Sequence, residues 1–218
     1  YDRPFYLILN LAVGGDWPGS PESEFVSEKM NVDFVRVYEY KKLDEWPDVT
    51  SNPIEPEWQR EPQADGNQIY NDRFTEGVDV DGVPNEWNLL TNAGGAGKVE
   101  VIDDVQKGKA AKVTISQAGT ETYSVQLTQM PKKKKKNRKY KVQFDAKASA
   151  DRVIRSKVTQ FEKSWTNYSE DKSFSLTTDW QPYEYTFNMR NGADNNARFE
   201  FNLGLNEGEV TVTNVRLT

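Results

Sequence analysis

Three stretches of this 218-residue chain place hydrogen-bonding side chains at every second position. In YSVQLTQ (123–129), Ser124, Gln126 and Thr128 alternate with Tyr123, Val125 and Leu127. In VIRSKVTQF (153–161), Arg155, Lys157 and Thr159 alternate with apolar Ile154 and Val158. In ARFEFNLGL (197–205), Arg198, Glu200 and Asn202 alternate with Phe199, Phe201 and Leu203. Successive side chains of a strand point to opposite faces, so each stretch has one apolar and one polar face. Amide and guanidinium groups carry several hydrogen-bonding atoms in fixed planes. If the three strands are neighbours, their shared polar face suits a ligand rich in hydroxyls; an ordinary solvated face is the alternative.

Aromatic residues weigh toward the ligand. The loop FEKSWTNYS (161–169) holds Phe161, Trp165 and Tyr168 with few apolar neighbours to cover them, and Ser164, Thr166 and Asn167 surround Trp165. Trp87 lies in another turn-rich stretch, GVPNEWNLL. A flat indole covers the C–H face of a pyranose at small entropic cost. For each single ring the alternative is core packing.

Other chemistry is narrowed by what is missing. There is no histidine and no cysteine, so Ser-His-Asp and Cys-His catalysis, His-ligated zinc, thiolate metal sites and disulfides are all excluded. Asp79-Val80-Asp81-Gly82 with Glu86 is too short a ladder for a helix-flanked calcium loop. PKKKKKNRKYK (131–141) makes seven of the eight residues 132–139 basic. It reads either as a polyanion or membrane patch or as a solvated turn. The net charge of −6 and the lack of interleaved aromatic residues favour the turn, and argue against nucleic acid as a partner. No run of about 18 apolar residues marks a membrane span.

The elements that would position these residues follow from pattern. Residues 67–218 hold short alternating segments separated by turn residues: 111–116, 123–129, 139–149, 153–161, 181–189, 197–205 and 209–217. No stretch repeats at helical spacing. That predicts an all-β fold, an antiparallel β-sandwich of the jelly-roll kind. Residues 41–66 carry Pro47, Pro53, Pro56 and Pro62 among charges and read as a semi-rigid linker. Residues 4–13 and 31–40 read as two strands apolar on both faces, the start of the chain being that of a fragment.

Two family resemblances bear on these parts. PFYLILNLAVGGDWPGSP…NVDFVRVYEY (4–40) resembles the C-terminal end of the catalytic domain of family 16 glycoside hydrolases, most of all the laminarinase (endo-1,3-β-glucanase) branch. That implies two strands of a truncated jelly roll in residues 1–40. The family's Glu-x-Asp-x-x-Glu signature is absent, so this chain is expected not to be an enzyme. The alternative is one part of a nicked or truncated glucanase, active only with the missing segment supplied.

Residues 67–218 resemble family 4 carbohydrate-binding modules through NQIYNDRFTEG…W, YSVQLTQ, YKVQFDAKAS and FEFNLG…VTVTNVRL in that order. The resemblance implies a concave sheet holding a single glucan chain, with Trp87, Gln126, Arg155, Trp165, Tyr168, Arg198 and Asn202 as its contacts. It further implies a structural calcium ion held by the Arg73 carbonyl, Glu76, the Lys107 or Gly108 carbonyl, and Asn214. The expected partners are a β-1,3- or mixed-linkage β-glucan and an upstream catalytic domain, in a secreted or cell-surface monomer without nucleic acid or membrane. A jelly-roll interaction domain with no sugar affinity is the remaining alternative.

Overall fold

Every second residue of KYKVQFDAKA (Lys139–Ala148) is buried, which is what a strand lying on a core does with such a sequence. The same logic runs through a computed structural model that describes residues 61–161 and 165–218, all within one compact unit, Ile54–Thr218. The readings for residues 1–40 and for 41–60 of the linker lie outside the described residues.

Among the described residues there are ten strands: β1 (Asn88–Thr91), β2 (Gly95–Asp104), β3 (Gly108–Ala118), β4 (Val125–Lys134), β5 (Lys139–Ala148), β6 (Arg152–Gln160), β7 (Lys172–Leu176), β8 (Gln181–Asn188), β9 (Asp194–Asn202) and β10 (Gly208–Leu217). A single 3-10 turn, Thr122–Ser124, leads into β4. The strands form two antiparallel five-stranded sheets, ordered β1-β4-β9-β6-β7 and β2-β3-β10-β5-β8. The expected all-β sandwich is therefore the fold.

The core lies between the two sheets. Val125, Leu127, Ile154, Val158, Phe199 and Phe201 enter it from the first sheet, and Val113, Ile115, Val142, Phe144, Val210 and Val212 from the second. Phe144 and Phe201 meet across the layers edge to face at 4.9 Å, and Phe199 meets Phe201 in the same way at 4.9 Å. Each such pair adds about 0.5–1.5 kcal/mol to the burial itself.

Three strands escape the sequence pattern. β1 and β7 are short, and β2 begins with Gly95 and Gly97, which weaken a strand signal. Those glycines answer a close approach. A Cβ on Gly95 would stand 2.2 Å from the Ser124 carbonyl oxygen, and one on Gly97 would stand 2.6 Å from that of Thr114.

The lysine run corrects a second expectation. Only its second half is a solvated turn. β4 continues to Lys134, paired with β9 at Lys132–Ala197 and Lys134–Asp194, and this carries Lys132 and Lys134 out of solvent. The Lys132 ammonium donates to Gln129 Oε1 at 2.6 Å. Lys134 is fully buried; its ammonium donates to Gln68 Oε1 and lies 4.6 Å from the Tyr140 ring centre. Burial, reinforced by the neighbouring Lys132 charge, pushes the Lys134 amine well below the ordinary lysine value.

Candidate functional site

Register brings the three alternating stretches together. β4, β9 and β6 are adjacent, and Gln126, Asn202 and Arg155 stand in one row across them. Thr128, Glu200 and Lys157 form the next row, and Arg198 faces Thr159 in the third. All eight side chains share the face turned away from the core, because their neighbours Leu127, Phe199, Phe201 and Val158 fill it.

These side chains bond to one another in sequence. Gln126 Nε2 donates to Asn202 Oδ1 at 2.6 Å, and Asn202 Nδ2 donates to Glu200 Oε1 at 3.1 Å. The Glu200 carboxylate also takes an ion pair from Arg198 and another from Lys157 at 3.4 Å. Glu200 is only 1% exposed, yet it is met by two cations and an amide. Its charge is thus compensated, as a buried carboxylate requires. Arg155 pairs separately with Asp171 at 3.0 Å and keeps its guanidinium partly in solvent.

Arg198 connects this floor to the aromatic loop. Its guanidinium lies 4.9 Å from the Trp165 ring centre and 5.8 Å from that of Phe161. The two rings meet edge to face at 5.6 Å. Trp165 remains 49% exposed. Its backbone is in the left-handed region, φ +53°, which a bulky residue adopts only when its surroundings impose it. Thr159 helps to impose it, donating from Oγ1 to the Trp165 carbonyl at 3.1 Å. Two polar atoms beside the floor, Thr128 Oγ1 and Arg198 Nε, are buried with no hydrogen-bond partner.

So the structure gathers Gln126, Arg155, Trp165, Arg198 and Asn202. Two other expected contacts are placed differently. Trp87 is 4% exposed and is a core residue, packed on Phe74 at 5.3 Å and edge-on to Phe199 at 6.2 Å. Its Nε1–H is spent on the Asn71 carbonyl at 3.2 Å, so it offers no rim platform. Tyr168 is likewise buried, and its hydroxyl donates to Asp194 Oδ2 at 2.7 Å. Burial first, then the hydrogen bond to Asp194, raises its phenol above the usual tyrosine range. Glu200, Lys157 and Asp171 were not among the expected site residues, although Glu200 and Lys157 sit on the same alternating faces.

The Val215 N–H donates to the Asp72 carbonyl at 3.0 Å, which brings the backbone beside Arg73 to that beside Asn214 in the implied calcium set. Arg73 and Glu76 are exposed, and the Glu76 carbonyl already accepts from Asn85 Nδ2 at 2.7 Å. Gly108 opens β3, paired with Asp104 at the end of β2. Asn214 Nδ2 and Lys107 Nζ both reach Asp145 Oδ2, at 2.6 and 2.9 Å. An ammonium therefore already serves the carboxylate beside Asn214. Among the described residues, no three His, Cys, Asp or Glu side chains gather around a point where an ion would sit. Asp79 does not bind as a loop ligand either; its Oδ1 accepts from the backbone N–H groups of Asp81 and Val83, both at 2.9 Å, and closes a turn.

The face thus combines amides and charges with one half-exposed indole. A family model described as "Carbohydrate binding domain" (CBM_4_9) matches residues 66–211. The chain belongs to that family. A solved structure described as "CBM4 structure and function" superposes with a TM-score of 0.57 at 28% identity, covering 69% of this chain and 98% of that one. Another, described as "BiXyn10A CBM1 APO", shares the fold at a TM-score of 0.52 and 17% identity, covering 70% and 97%.

Curated relatives match over a shorter span. Glucan endo-1,3-beta-glucosidase A1 of Niallia circulans is 52% identical over 40 residues, 17% of this chain and 6% of that protein. Beta-glucanase of Rhodothermus marinus is 45% identical over 42 residues, 18% of this chain and 15% of that protein. Keratan-sulfate endo-1,4-beta-galactosidase of Sphingobacterium multivorum is 53% identical over 38 residues, 17% and 9%. The chain thus spans less than a sixth of each of these enzymes. Residues 66–211 are therefore a domain of a carbohydrate-binding family, which is non-catalytic.

Proposed function

We propose that the β4-β9-β6 face holds a single β-glucan chain, of β-1,3 or mixed linkage, on behalf of a glycoside hydrolase. The observation that carries this reading is Trp165: half exposed, braced beneath by Arg198, and standing over a prearranged amide-and-ion floor. A sugar ring would stack on the free indole face. Arg155 at the exposed edge would bond hydroxyl groups. Two of the three curated relatives above are named as glucan hydrolases, which supports a glucan.

A few stacked rings and exchangeable hydrogen bonds correspond to a Kd of about 1–100 μM. Tethering at that affinity raises the effective concentration of an attached active site near its substrate without adding any catalytic group. In this reading the attached hydrolase lies upstream and the protein works outside the cell.

The test is affinity electrophoresis through gels containing laminarin, lichenan, cellulose or xylan. Retardation by laminarin and lichenan is expected. Mobility unchanged by all four polymers would end the glucan reading. Reducing-sugar release from laminarin by the purified chain would instead favour the truncated-enzyme alternative.

A further inference from the structure

Cations on this sandwich are mostly paired. Lys107 meets Asp145, Lys109 meets Asp103, Lys112 meets Glu100 and Glu209, Lys141 meets Glu184, and Lys147 meets Asp104. The corner between β4 and β5 departs from this pattern. Lys135, Lys136, Arg138 and Lys139 are all exposed there, and among the described residues none of the four takes part in an ion pair. The backbone that carries them is tied down. The Arg138 N–H donates to the Lys135 carbonyl at 3.3 Å, and the Lys135 N–H donates to Tyr140 Oη at 2.8 Å. Asn137 and Met189 tie the turn to the strand beside it, with Asn137 N–H to Met189 O at 2.8 Å and Met189 N–H to Arg138 O at 2.9 Å.

Behind the corner lie two more lysines, Lys132 and Lys134, both buried. Like charges near a protein surface repel, and the corner gathers four of them in a chain whose net charge is −6. A bound anion would relieve that repulsion.

We propose that the β4–β5 corner is a second glycan-contact site, taking an acidic polysaccharide whose carboxylate or sulfate groups meet Lys135, Lys136, Arg138 and Lys139. The corner lacks what other polyanionic partners use. Its aromatic residue, Tyr140, is buried and cannot stack on a base, and residues 135–139 offer no apolar side chain to enter a membrane. A small knot of charge on an acidic chain fits a polymer with one anionic group per sugar better than a densely charged duplex. The site is distinct from the Trp165 face and stands whether or not that face binds laminarin.

The experiment uses the full chain and a variant, K135Q/K136Q/R138Q/K139Q, in affinity gels with polygalacturonate, dextran sulfate, laminarin and duplex DNA. The wild-type chain is expected to be retarded by both acidic polysaccharides. Its affinity should fall on the order of 10- to 100-fold as salt rises from about 50 to about 200 mM, because neutralised charges release counterions. The fourfold variant should lose that retardation while keeping its mobility in laminarin and its thermal midpoint. No retardation by either acidic polymer, or equal retardation of the variant, overturns the proposal. Retardation by DNA as strong as by polygalacturonate overturns it too, reducing the corner to unselective charge.

Discussion

Glu200→Gln is the most direct probe of how the candidate face is held. The substitution conserves shape and leaves an amide oxygen to accept from Asn202. It removes the charge on which both Arg198 and Lys157 converge. Lys157 keeps part of its side chain in solvent and can turn away, whereas Arg198 is 6% exposed and cannot. Removing one partner of a buried pair costs about 3–5 kcal/mol, because the other charge stays behind uncompensated. With Lys157 able to rehydrate, the lower end applies, about 3 kcal/mol. For a chain of 150–250 residues that is a fall in Tm of about 6–12 °C. Differential scanning calorimetry at neutral pH measures it. The double variant R198Q/E200Q removes both charges and should recover most of the loss, and near-UV circular dichroism should report Trp165 losing its cation. A Tm change below about 1 °C in E200Q, or losses in the double variant that simply add, would refute the claim that this ion pair organises the face.

Four further outcomes follow from the same geometry. Trp165→Ala should weaken laminarin binding about tenfold, about 1.4 kcal/mol by titration calorimetry, with little change in Tm; Trp87→Ala should cost about 3–5 kcal/mol in denaturant melts, as a core truncation does. For Lys134, the folded amine sits below its unfolded value, so between those two values the unfolded chain binds more protons and stability rises with pH. Lys134→Met should therefore be more stable than wild type at neutral pH, and the advantage should shrink as pH climbs toward about 10.4; an advantage independent of pH would place the lysine's proton elsewhere. EDTA should shift Tm by less than about 1 °C, since Lys107 already serves Asp145. A drop of several degrees restored by added Ca2+, as ligand linkage produces, would locate an ion that the Asp145 environment argues against.

Much of this was legible from residue order, and the limits have physical causes. Alternation of apolar and polar residues determined the strands and which face of each looks inward, since a one-residue slip would expose Phe199 and Phe201 and bury charge. It therefore already assigned Gln126, Arg155, Arg198 and Asn202 to a polar face. Alternation is blind to which strands are neighbours, and only the order β4-β9-β6 turned three separate stripes into one connected network. It is equally blind to the depth of a loop residue. Trp87, Trp165 and Tyr168 look alike among turn residues, yet packing sent the first onto Phe199, the third onto Asp194, and left the second outside. The lysine run shows the same limit from the other side. Its composition reads as solvent, but ladder pairing with β9 continues through Lys134, and a backbone committed to a sheet carries its side chains wherever the sheet places them.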